Sequence, residues 1–425
     1  MFESCRAHSF RMSTAYNSVC HWRAATAPLP SYKLRVVRCR HILRYADGIQ
    51  MALEADTNPF VHSHPVPPAD LIDRDDETAA LLANAAGSHY TRLYAPRQYG
   101  KTSLLTRVLQ DAEAQAAMVP VLVDFFGALS LADVTIRLER AYAKHLRGKL
   151  RDRINDLLVQ TGLGLSLGAM GVSAKLQLDP RRDPLPALHA LLDLPLRLKQ
   201  EGGRRALIVF DEFQALANVK EMDAIFRSHL QFHGDVASYV FSGSEPGLMK
   251  MLFERKDRPL YGQTVPVRLG RLGAPDISAY VVDRFNATAR SAGDGVNALV
   301  DAAEGHPQRA MLLANRLWQE VPRGGAATRA EWDRAYARTL SELGPEFDSH
   351  WRRFSSTEQK TLRAILAGGG SPYRTRVLQR LDLSKASAQK ALTNLMARAE
   401  VEPAEKTYVI VDPLFAQWIE RLAGD

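Results

Sequence analysis

Cysteine is scarce, and its placement excludes more than its number does. All three, Cys5, Cys20 and Cys39, fall within the first 50 residues, at spacings that suit neither a metal site nor a disulfide framework. The cysteine-free remainder fits a reducing compartment, so the expected location is cytoplasmic. Long apolar runs are also missing. No stretch approaches the roughly 18–20 apolar residues of a spanning helix, and the leading residues have no apolar signal core, so no membrane partner is expected. Acidic residues are rare in the same leader, which holds eight Lys/Arg against two Asp/Glu. That segment carries +6 of the chain's formal +8 and leaves +2 for the other 375 residues. Overall basicity is therefore poor evidence for a nucleic-acid partner.

At 425 residues, 46% apolar and 24% charged, the chain has the composition of a globular protein with two or three compact units. Residues 1–57 are expected to be a basic leader, disordered or outside the mature fold, with Met51 as the start; an Arg-rich, acid-poor transit peptide is the alternative. Residues 58–77, with their prolines and histidines, read as an extended ordered linker that ends in an acidic helix start. Compact apolar runs at "HYTRLY", "MVPVLVDFF", "RRALIVFDEF", "SYVFSGS" and "TVPVRLG" read as strands. Their alternation with helices predicts a parallel sheet covered on both faces. The glycine-punctuated "TGLGLSLGAMGVSAKLQLDPRRDP" reads as an inserted hairpin or loop; its apolar run is too short to favour a membrane-active element. Past about Pro275 helices dominate.

Glycine is missing at one position where a motif asks for it. "APRQYGKTS", Ala95–Ser103, follows G-x-x-x-x-G-K-[ST] except that alanine replaces the first glycine. Alanine is the smallest residue with a Cβ, and it is tolerated there if the backbone keeps negative φ. Ala95, Pro96, Arg97, Gln98, Tyr99, Gly100, Lys101, Thr102 and Ser103 thus become the candidate nucleotide cradle. In it Lys101 reaches the β- and γ-phosphates, Thr102 ligates Mg2+, and a helix N-terminus faces the anions.

"ALIVFDEFQAL" places Asp211 and Glu212 at the C-terminal end of an apolar strand, the edge where open α/β sheets bind ligands. Asp211 is the candidate Mg2+ partner and Glu212 the candidate polariser of an attacking water. "SYVFSGSEPGLM" ends another strand in the hydroxyls Ser242 and Ser244. Ser244 is the candidate sensor of the γ-phosphate; a plain serine-rich turn is the alternative.

Through "NPF", "LYAPRQYGKTSLL", "IVFDEFQAL", "FSGS", "RPLYG" and "EGHPQRAMLLA", residues 58 to about 320 resemble the prokaryotic AAA+/STAND-type ATPases often called archaeal ATPases. The resemblance implies an α/β P-loop ASCE/AAA+ parallel-sheet core over 58–272, a helical lid over 273–345 and a winged helix-turn-helix over 346–425. It implies ATP and Mg2+ as cofactors. It also puts Pro307 of "GHP" close to the nucleotide, makes Arg309 a sensor-2-like arginine and Arg258 an arginine finger toward a neighbouring copy in a homo-oligomer. For either arginine a surface salt bridge is the alternative. The chain departs from the family at Ala95 and at Asp73, where glycine would precede Arg74.

The C-terminal pattern, helix, short helix, helix, then strand, turn, strand and helix, is the order of a winged helix. Ser356 or Thr357 is expected to cap its first helix and Ser384 its third. Residues 351–398 hold ten Lys/Arg against two Asp/Glu, whereas 399–425 hold two against six, so the helices suit phosphates and the wing repels them. With Leu392, Leu395 and Met396 facing the core, Lys385, Gln389, Lys390 and Thr393 are the candidate groove-facing residues for duplex DNA. Winged helices also dock proteins. Three readings stay open: an ATP-driven switch with a DNA output, a signalling or defence scaffold with a protein output, and a nucleotide-binding regulator without turnover.

Overall fold

The computed structural model describes residues 56–160 and 183–424. The expected leader and nearly all of the glycine-punctuated insert lie outside the described residues. Within 57–425, which form one compact unit, the five expected strands are present: β1 Thr91–Tyr94, β2 Val119–Asp124, β3 Ala206–Asp211, β4 Ala237–Gly243 and β5 Val265–Arg268. They form one parallel sheet in the order β2-β3-β4-β1-β5. β4 therefore separates the strand that feeds the phosphate loop from the strand that carries Asp211. Pro120 and Pro266 sit in the two edge strands, where a missing N–H is tolerated.

Every residue of β3 and β4 is buried because both faces of the sheet are covered. On one face Leu207, Val209 and Val240 pack with α1 (Asp75–Ala86) and α2 (Lys101–Gln115). On the other, Ile208, Phe210, Tyr239 and Phe241 meet α3 (Leu131–His145), α4 (Gly148–Gln160), α5 (Leu185–Leu192), α6 (Leu194–Gly202) and α7 (Met222–Leu230). A strand buried on both sides loses the polar alternation of a surface strand and reads as a continuous apolar run. α8 (Pro246–Glu254) follows β4.

The helical region is α9 (Ala274–Ala287), α10 (Gly295–Ala303), α11 (Pro307–Glu320) and α12 (Arg329–Trp351). "NPF" ties the start of the chain to it. Phe60 is buried against Tyr280 and Phe285, while Asn58 donates to the Asn315 carbonyl at 3.0 Å and Asn315 returns a bond to that of Phe60 at 2.8 Å. Position 345/346, expected to divide lid from winged helix, lies inside α12, which runs on unbroken. Trp332, Phe347 and Trp351 of this helix share one core with Leu299 and Leu313 before it and Leu362, Leu392 and Phe415 after it.

The C-terminal region is a winged helix: α13 (Ser356–Ala367), α14 (Thr375–Arg380), α15 (Lys385–Ala397), the antiparallel hairpin β6 (Val401–Ala404) and β7 (Thr407–Ile410), and α16 (Pro413–Gly424). Ser384 caps α15. The cap of α13 is Ser355, one residue before the expected pair, because Glu358 closes a capping box only with the residue three before it. The winged helix is packed onto the ATPase-like core. A Cβ on Gly247 of α8 would lie 2.7 Å from that of Ala397 at the end of α15, so this crossing needs glycine.

Candidate functional site

β1 turns directly into α2 through residues 95–100. Gln98 (φ 66°) and Gly100 (φ 81°) adopt left-handed backbone, a conformation that exposes successive N–H groups to an anion. Ala95 is not among the positive-φ residues, and its methyl is fully buried. The condition for replacing the first glycine is therefore met. Asp73 has φ 39°, which explains why the family pattern has glycine there and why aspartate, tolerant of this region, can stand in. Arg74 beside it donates to the Gly270 carbonyl at 2.7 Å and to Glu77 at 3.1 Å.

Lys101 opens α2. Its ammonium is buried and donates to the Ala95 and Pro96 carbonyls, each at 3.2 Å. Burial lowers its pKa, and the charges of Glu212 and Asp211 oppose that shift. Thr102 donates its hydroxyl to Asp211 at 3.2 Å across 109 residues of sequence. The phosphate loop and the end of β3 thus meet at one place. Burial raises the Asp211 pKa against the opposing Ser242 hydroxyl and Lys101 charge. One carboxylate and one hydroxyl are hard oxygen donors of the kind Mg2+ takes alongside phosphate oxygens and water. Among the described residues no cluster of three or more His, Cys, Asp or Glu offers an all-protein metal site.

Glu212 leaves the strand with φ 51°, and this sharp turn brings its carboxylate to the end of β4. There Ser244 donates to it at 2.7 Å, and the Gln214 amide donates both to it and to Ser244 Oγ, the latter at 3.2 Å. Gln214 had no sequence signal beyond its place two residues after Glu212. Together these residues aim a carboxylate that Asp211 and Lys101 alone would leave free.

A cavity of about 370 Å3 runs from the loop to the helical region, within the range of small-molecule sites. Arg97 through Ser103, Glu212 and Pro307 line it, with apolar walls from Val66, Leu272 and Met311. Ala95 and Pro96 do not line it; they serve through the carbonyls that hold Lys101. Ser103 accepts from the Val66 N–H at 3.0 Å and so fastens the linker over α2.

Two arginines are placed differently from the family expectation. Arg309 does not line the cavity. Its Nε and Nη2 bind both carboxylate oxygens of Asp412, at 3.0 and 2.5 Å, and Asp412 in turn caps the start of α16. Burial would raise the Asp412 pKa, but the Arg309 guanidinium outweighs it and holds the carboxyl below the usual range. Arg258 is paired with Asp223 at 2.9 Å within the same chain.

The acidic wing is spent on the same side of the molecule. Glu402 of β6 accepts from the Tyr99 hydroxyl at 2.9 Å, Arg271 at 2.8 Å and Arg268 at 3.0 Å. Arg271 also donates to the carbonyls of Glu304, Ile410 and Val411, and the His306 ring stands edge-on to Tyr99 at 5.0 Å. The residue before Gly100 in the phosphate loop is therefore hydrogen-bonded to the winged helix. Lys385, Gln389, Lys390 and Thr393 remain exposed on α15, with the Gln389 amide taken by the Tyr373 hydroxyl. Leu392 and Leu395 are buried, as expected.

No protein-family model matches the sequence, and the search of curated proteins likewise returns no match. Solved structures do match. A Walker-type ATPase of Pyrococcus abyssi aligns at TM-score 0.63 and 19% identity over 85% of this chain and 99% of its own. The ORC2 protein of Aeropyrum pernix, solved in ADPNP–ADP complexes, aligns at 0.54 and 15% over 87% of this chain and 99% of its own. With the strand order and the loop-to-β3 contact, these likenesses establish that the chain has the P-loop ASCE/AAA+ fold with a C-terminal winged helix.

Proposed function

We propose that the protein is a Mg-ATP-dependent switch of the STAND type that hydrolyses ATP and transmits its nucleotide state to the winged helix. The observation that carries this reading is the 2.9 Å bond from Tyr99 to Glu402, which couples the phosphate loop to the wing without an intermediary. The resemblance to ATPases, one of them solved with ADPNP and ADP, supports ATP as the ligand.

In this reading the loop N–H groups and Lys101 hold the triphosphate, and Thr102 with Asp211 holds Mg2+, which would supply charge neutralisation at the β- and γ-phosphates. Lys101 leaves the Ala95 and Pro96 carbonyls to do so. Glu212, steadied by Ser244 and Gln214, takes a proton from the attacking water. Any shift of Tyr99 as the loop closes on phosphate is felt at Glu402, and the docked winged helix responds.

The output favoured is duplex DNA, met by Lys385, Lys390 and Thr393, which stay exposed while the wing is docked. A protein output is the second reading; Phe126 and Leu129, both exposed on the loop after β2 and the first of them at the cavity, favour it. The test is turnover of Mg-ATP by wild type and Glu212→Gln, with and without duplex DNA. The variant is expected to bind ATP normally and to hydrolyse it at least about 100-fold more slowly. Absence of wild-type turnover in every condition would leave nucleotide binding without catalysis.

A further inference from the structure

Loss of the γ-phosphate spreads negative charge over its oxygens, and ATPases and GTPases meet that charge with an arginine. Arg309 and Arg258, the arginines the family pattern offers for this work, are engaged with Asp412 and Asp223. Only three Lys or Arg side chains line the cavity among the described residues: Arg74, Arg97 and Lys101. Arg74 is buried and tied to Gly270 and Glu77. Arg97 is different. It is 68% exposed, and its one ion pair among those described is a 3.7 Å contact with Glu245. It is also close enough to Lys101 for its charge to depress the lysine's pKa.

Glu245 directly follows Ser244, the residue that holds Glu212, so the Arg97–Glu245 pair links the phosphate loop to the segment after β4 that steadies Glu212. An exposed pair at this separation is weak. A γ-phosphate offers the same guanidinium a bidentate, charge-assisted partner.

We propose that Arg97 is a catalytic arginine carried in cis by the phosphate loop, which leaves Glu245 for the γ-phosphate and stabilises the charge that develops during hydrolysis. The role rests on the ATPase reading above. In the step it serves, the water oxygen bonds to the γ-phosphorus and the bond from that phosphorus to the β,γ-bridging oxygen breaks. Its electron pair stays on that oxygen in ADP, the water proton passes to Glu212, and inorganic phosphate leaves.

The test uses the full chain with Mg-ATP. Arg97→Ala is expected to lower kcat by about 10^3-fold, the lower end for such arginines, while KM and the affinity for ADP stay within about threefold of wild type. Arg97→Lys, which keeps charge but loses the fork, should recover part of the rate. Wild type should bind ADP with aluminium fluoride far more tightly than ADP alone, and Arg97→Ala should lose that preference. Because Arg97 is exposed, unchanged ADP binding also shows that the variant is folded. If wild type turns over and Arg97→Ala matches it within threefold, the cis role is overturned and the ATPase reading stands. If wild type binds ATP but never hydrolyses it, both are overturned.

Discussion

Glu402→Ala should release the winged helix, and its effect can be sized from the contacts. Glu402 is 8% exposed and accepts three hydrogen bonds, two of them from guanidinium groups. Hydrogen bonds to charged groups contribute about 1.5–3 kcal/mol each when fully buried. Arg268, 43% exposed, rehydrates when its partner is removed. Arg271 keeps the carbonyls of Glu304, Ile410 and Val411, so neither cation is stranded. The net loss to docking is therefore about 2–3 kcal/mol, a shift of about 30- to 150-fold toward the undocked wing. Hydrogen exchange measures it: amides of β6 and β7 and of residues 97–100 should lose protection together in Glu402→Ala. A Tyr99→Phe, Glu402→Gln double-mutant cycle should show a coupling of about 0.5–1.5 kcal/mol. If the hairpin loses protection while the phosphate loop keeps both its protection and its nucleotide affinity, the wing does not communicate with the site.

Acid should weaken the fold through His306. Burial holds this ring near a pKa of about 3 instead of 6.5, so the folded protein keeps it neutral while the unfolded chain takes up a proton below about 6.5. The unfolded state then binds more protons at pH 5 than the folded one does, and stability falls by about 2 kcal/mol between pH 7 and 5 from this residue. Urea unfolding at the two pH values should show that loss, and His306→Asn should reduce it by a similar amount. His145 and His233, each held near about 4 by burial, leave a remaining slope of the same sign. Reversing Lys385 and Lys390 to glutamate should abolish salt-dependent binding to duplex DNA in a fluorescence-anisotropy titration and leave ATP affinity unchanged. Equal DNA affinity in that variant would move the output away from α15.

The strands were legible because burial on both faces turns β3 and β4 into unbroken apolar runs. The phosphate loop and the acidic end of β3 were legible because their chemistry dictates residue types at short spacing. The docking of the winged helix was not. Tyr99 and Glu402 are 303 residues apart and Arg309 and Asp412 are 103 apart, and pairings at that range leave no periodicity. One signal was present: an acidic wing beside basic helices, read as repulsion of DNA, equally marks a surface that seeks arginines, and Arg268, Arg271 and Arg309 are what it finds. For Arg309 the alternative reading, a salt bridge, is what the structure shows, and its partner Asp412 could not be read from the motif, which gives a position in the chain and not a competing partner. Gln214 was hidden because its role depends on the turn at Glu212, whose left-handed φ no sequence pattern announced.

Calorimetric titration of ATP with and without Mg2+, on wild type, Lys101→Ala and Asp211→Asn, probes the meeting of the phosphate loop with β3 most directly. Wild type should bind more tightly with Mg2+, Lys101→Ala should not bind in either condition, and Asp211→Asn should bind with the Mg2+ advantage gone. An Asp211→Asn protein that keeps the full Mg2+ advantage, or a Lys101→Ala protein that binds like wild type, would contradict a shared site for the two motifs.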